Sequence, residues 1–123
     1  MKGYLSVKRL FVLADVVFPL YREESEVLVK HNLWELKTAK GTSLFYKKPT
    51  AITIKGQRIV LVDIPSAVAL AHFQEKIEAC EGDKLVFECN IHIEDGRVIV
   101  EVNDEPLGAD AVENIQPGVR MFF

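Results

Sequence analysis

Two cysteines, three histidines and scattered carboxylates are the side chains that could hold a metal or move a proton. Cys80, Cys89 and His92 lie close in the chain. On a strand, however, Cys89 and His92 point to opposite faces, and neither a paired Cys-x-x-Cys nor a second nearby histidine completes a ligand set. No metal is expected. His92, Asn90 and Glu101 could share the outer face of a hairpin as a weak acid/base cluster, but with no nucleophile or oxyanion donor beside them they read as a polar solvent face. His72 on a helix flank and His31 near a turn read as surface or rim residues. Gly56 and Gly108 stand alone, so there is no phosphate-binding glycine loop. No catalytic residue and no cofactor is assigned. A non-enzymatic binding or accessory protein is the first reading; an enzyme or carrier of small molecules would need a deep apolar pocket between helix and sheet, beside Leu70 and Phe73.

Charge is distributed unevenly. Between Trp34 and Arg58 the chain carries Lys37, Lys40, Lys47, Lys48, Lys55 and Arg58 against the single acid Glu35, whereas acids dominate from Glu75 to Glu113. Lysines interleaved with Trp34, Phe45 and Tyr46 on adjacent strands suit a single-stranded nucleic-acid platform, with cations for phosphates and flat rings for bases. The expected site is Trp34, Lys37, Lys40, Tyr46, Lys47, Lys48, Lys55 and Arg58. The competing reading puts Trp34 and Phe45 in the core and makes the lysines a solvated edge that discourages strand-to-strand aggregation.

The last eight residues, Gln116-Pro117-Gly118-Val119-Arg120-Met121-Phe122-Phe123, carry a glutamine, an aliphatic residue three positions on and two aromatics after that. This pattern resembles the PIP-box, the short motif by which replication and repair proteins dock on ring-shaped sliding clamps. The resemblance implies that Val119 and Phe122 plug an apolar pocket from one side of a tight helical turn, with Phe123 as second aromatic and Gln116 as polar anchor. Val119 stands where leucine, isoleucine or methionine is more usual, and Gly118 costs such a turn about 1 kcal/mol relative to alanine. The alternative is a last strand in which Val119, Met121 and Phe123 alternate after a Pro117-Gly118 turn.

Length and composition set the frame for these leads. With 123 residues, 49% apolar and 27% charged, the chain suits one domain with a proper core; residues 1–115 are expected to form it and 116–123 to be a tail or final strand. A net charge of −3 excludes a protein basic overall but not a local basic patch. Two cysteines are too few for a disulfide framework, and both read as reduced core residues of an intracellular, cytoplasmic protein. Neither a cleavable leader nor an apolar run long enough to span a membrane is evident, so a soluble protein is expected. A homodimer remains open.

The elements that must position these residues centre on 52–103. Leu85, Phe87, Cys89, Ile91 and Ile93 alternate with polar or smaller residues, and Asp95-Gly96 suits a type I′ turn that pairs Ile93 with Val98, Ile91 with Val100 and Cys89 with Val102. Gly56-Gln57 suits a second two-residue turn, pairing Ile54 with Ile59 and Ile52 with Leu61. The opposite face, with Ala51, Thr53, Val60 and Val62, is expected to be partly covered. A helix is expected from Pro65-Ser66 towards Gly82, with Ala69, Leu70, Phe73, Ile77 and Cys80 as its apolar stripe. Tyr4 to Phe18 reads as a strand with Leu5, Val7, Phe11 and Leu13 inward, or as a short helix, closed by Pro19. Residues 22–26 read as a polar loop. Residues 33–47 read as a hairpin turning at Lys40-Gly41, in preference to a helix opened by Asn32 and Glu35. The expected fold class is α+β: a mostly antiparallel sheet, open or curled into a partial barrel, with one main amphipathic helix packed on it.

Overall fold

The computed structural model describes residues 1–113. Its elements follow in the order β1 (Lys2–Lys8), β2 (Leu13–Leu20), α1 (Arg22–Val29), β3 (Leu33–Thr38), β4 (Gly41–Tyr46), β5 (Thr50–Ile54), β6 (Gln57–Ile64), α2 (Ser66–Ala79), β7 (Lys84–Glu94), β8 (Arg97–Val102) and α3 (Ala109–Glu113). The strands form one sheet in the order β4-β3-β8-β7-β1-β2-β6-β5. Every neighbouring pair is antiparallel except β3 and β8, which run parallel. The expectation of one main helix packed on the sheet is therefore overturned: strand predominates, three short helices are spread along the chain, and the sheet is mixed through its one parallel pair.

The two edge strands, β4 and β5, are consecutive in the chain, joined by Lys47, Lys48 and Pro49. Four peptide steps reach at most about 15 Å, whereas eight strands laid flat at a spacing of about 4.8 Å would hold the edges roughly 34 Å apart. The sheet must therefore roll. Its concave face closes on itself, so that Phe18 of β2 stacks on Trp34 of β3 at 6.1 Å between centroids although three strands separate them in the sheet.

That concave face is the main core. Leu5, Val16, Phe18, Trp34, Leu36 and Phe87 are all sealed from solvent, each contributing roughly 1.5–3 kcal/mol of burial before the entropy of ordering is subtracted. Helix α2 adds Ala69, Phe73 and Ile77, with Phe73 against Phe87 at 5.0 Å. That contact fills the space beside Phe73. Leu70 is 39% exposed and not part of the stripe; on the stripe's other flank His72 is buried instead, bridging to Thr38 Oγ1 at 2.8 Å and Ser43 Oγ at 2.7 Å. A hydroxyl on each ring nitrogen suits the neutral imidazole, and burial lowers its pKa.

The convex face carries a second cluster, with Val17, Ile59 and Val86 buried among Tyr4, Ile52, Ile54, Leu61, Leu107 and Val112. Leu107 N–H donates to the Val86 carbonyl at 2.7 Å, which lays the segment after β8 alongside β7. Central strands covered on both faces read as unbroken apolar runs such as Val16-Val17-Phe18.

Local expectations meet mixed outcomes. The β7–β8 register is as the turn chemistry dictates, with Asp95 at φ 51° and Gly96 at φ 77°. In the β5–β6 hairpin the turn is Lys55-Gly56, φ 51° and 78°, so Ile54 pairs with Gln57 and Ile52 with Ile59. The pairing moves by two residues, which leaves every side chain on its face; the face with Ala51, Val60 and Val62 proves to be the main core side. Residues 33–46 do form a hairpin, turning at Ala39-Lys40. Tyr4 to Phe18 is neither one strand nor a helix: Arg9–Val12 turn between β1 and β2, leaving Phe11 and Leu13 exposed. Pro19 continues β2 opposite Ile59. Residues 22–26 begin α1 rather than a loop, because Ser25 and Leu28 bury one side of it.

Candidate functional site

Trp34 cannot serve a nucleic-acid surface. It is wholly buried, and its Nε1 donates to the His31 carbonyl at 3.1 Å, so the expectation that it stacks on a base is corrected. The other residues of the basic stretch scatter around the roll. Tyr46 is 76% exposed on edge strand β4. Lys37 lies 3.9 Å from Glu101, Lys40 3.8 Å from Glu75 and Lys47 3.7 Å from Asp63, each matched to a carboxylate in an exposed pair. Lys48 is exposed in the β4–β5 connection.

Lys55 and Arg58 are brought together at the other end of the hairpin. Leu20, the last residue of β2, pairs with Arg58, so the β5–β6 turn stands beside the point where the chain leaves the sheet for α1. Between them lies a cleft of about 570 Å³, floored by Pro19 and Leu20 and walled by Tyr21, Arg22, Lys55 and Arg58. Among the described residues no ion pair engages Lys55 or Arg58, and Arg22 meets only Glu26 at 3.6 Å on the exposed side of α1. Tyr21 is the N-cap of α1 and is 83% exposed. On its far side an adjoining cavity of about 380 Å³ is lined by Lys2, Tyr4, Pro19, Tyr21 and Glu24 among others. Sequence reasoning had two of the three cations; it missed Arg22, which sits in a segment read as loop, and Tyr21 just before it.

A second polar feature lies on the convex face. Asp15 of β2 pairs with Asp63 of β6 on one side and with Ser6 of β1 on the other. Burial first, then the hydrogen bond that the protonated Asp15 carboxyl donates to Asp63 and the charge of Asp63, push the Asp15 carboxyl up to about 6, with Lys8 pulling the other way. Ser6 is buried, and its Oγ has no partner among the described residues. The hairpin cluster does share a face: His92 Nε2 is 3.4 Å from Glu94 and 3.8 Å from Glu101. His31 is not idle either, since its Nδ1 meets the Gly96 carbonyl at 3.0 Å. Cys89 is buried, its thiol pushed up to about 12 by that burial, and Cys80 ends α2 outside the core cluster. Among the described residues no group of His, Cys, Asp and Glu side chains could hold a metal ion, and no helix is long and apolar enough to cross a membrane.

Comparison of the chain with protein-family models, curated proteins and solved structures finds no match. Gln116, Val119, Phe122 and Phe123, and the alternative last strand over 119–123, lie outside the described residues.

Proposed function

We propose that this is a non-enzymatic accessory protein that docks on a DNA sliding clamp through Gln116, Val119, Phe122 and Phe123. The observation that carries the reading is their spacing, which sets one aliphatic and two aromatic side chains and a glutamine in the PIP-box order. The concave core of the described residues is built from side chains between Leu5 and Val102. The reading places the protein inside the cell, with the clamp as its partner.

Calorimetric titration of the full chain into the sliding clamp of its own organism tests this. Binding is expected for the natural sequence and not for Phe122→Ala with Phe123→Ala, and the two proteins should melt at the same temperature. Equal binding by both, or a large loss of stability in the double variant, overturns it; the latter outcome would make these phenylalanines part of the fold.

A further inference from the structure

We propose that the cleft between α1 and the β5–β6 turn binds a short run of single-stranded nucleic acid, its successive phosphates held by Arg22, Lys55 and Arg58 and an adjoining base laid on Tyr21. The cations are the first reason. Three basic side chains line one cleft of about 570 Å³ with no carboxylate in its lining; Arg22 has only the exposed pair with Glu26 and among the described residues Lys55 and Arg58 have no ion pair, whereas Lys37, Lys40 and Lys47 are each matched to an acid. A site whose walls carry only positive charge concentrates phosphate and loses counterions on binding it.

The ring is the second reason. An aromatic side chain 83% exposed buries little surface in the free protein, yet Tyr21 stands beside those cations with an adjoining cavity on its other side. Stacking of a base on such a ring tolerates any sequence, because every base has a flat face. The third reason is the track. The two cavities share Pro19 and Tyr21, and the second offers the Tyr4 ring, with Lys2, itself paired with Glu88 at 3.4 Å, holding its ammonium 5.9 Å from the ring centroid. Cations followed by two rings fit a strand of a few nucleotides better than a lone mononucleotide. Glu24, the acid of the smaller cavity, lies past Tyr21 from the phosphate seat. A duplex would keep its bases stacked on one another and away from Tyr21, so the unpaired form is the ligand. None of this uses residues 114–123, and the proposal stands or falls separately from clamp docking.

The test is fluorescence anisotropy of a labelled oligothymidylate of about ten nucleotides, between about 50 and about 200 mM salt. With three phosphate contacts at about 0.7 each, the log–log salt slope should be about −2. Lys55→Asn with Arg58→Gln should weaken binding about tenfold or more and flatten that slope by about 1.4. Asparagine suits the positive φ of position 55, so the turn survives the change. Tyr21→Ser should weaken binding at least about fivefold with the slope unchanged. Lys84→Ala, on β7 at the opposite end of β1 from Lys2, should leave it unaltered, as should Phe122→Ala with Phe123→Ala. The proposal is overturned by absence of binding at low salt or by equal affinity for the duplex or a mononucleotide. It is also overturned if the cleft variants bind normally, or if Lys84→Ala weakens binding as much as they do.

Discussion

Asp15 and Asp63 face each other across β2 and β6, and one proton between them is better than none. With its folded pKa raised from 3.8 to about 6, Asp15 holds a proton in the native state over a pH range where the unfolded chain has lost it. Stability from this residue is therefore greatest below about pH 4, falls as pH rises through the interval to about 6, and stays reduced above it. Asp15→Asn removes the penalty while keeping the shape. It should stabilise the protein by on the order of 1 kcal/mol at pH 7.5, the full shift being discounted for solvent screening of a half-buried group. At pH 4 the gain should vanish. Thermal unfolding at the two pH values checks this; an equal shift at both would show that packing and not the proton is responsible. The pair was invisible beforehand, since residues 15 and 63 become neighbours only through the strand order.

At the level of elements, Gly3 of β1 has no room for a side chain. A Cβ there would fall within 3 Å of the Phe18 ring and of Ile91 Cδ1, both in the packed concave face. Gly3→Ala should therefore cost about 1–3 kcal/mol, read as a lower denaturation midpoint, because a full core has no low-energy place for the added carbon. A neutral result would mean that Phe18 can re-pack. Legibility differed element by element for physical reasons. β7 and β8 were readable to the residue because alternation and an Asp-Gly turn agree. The β5–β6 turn was misplaced because Lys55, without glycine's freedom, takes the positive φ. Helix α1 was missed because Arg22–Glu26 is polar and only Ser25 and Leu28 face inward. In α2, His72 displaced Leu70 because two hydroxyls, Thr38 and Ser43, waited on the facing hairpin. The parallel β3–β8 pair has no local signature at all, as its partners lie more than sixty residues apart.

For the whole molecule, rolling the sheet separates two kinds of surface. The basic stretch legible in the sequence is broken up by it, three lysines going to carboxylates and Trp34 to the interior, while Lys55 and Arg58 meet Tyr21 and Arg22 at a cleft no local pattern announces. The proposed clamp-docking motif, by contrast, rests on the sequence alone, since a linear motif is defined by spacing along the chain and not by a fold. Clamp docking is tested most directly by displacement of a labelled PIP-box peptide from the sliding clamp by this chain, followed by anisotropy. The natural sequence should displace the peptide to completion and the Phe122→Ala, Phe123→Ala variant should not. If neither protein displaces it, or both do equally, docking through Gln116, Val119, Phe122 and Phe123 is contradicted.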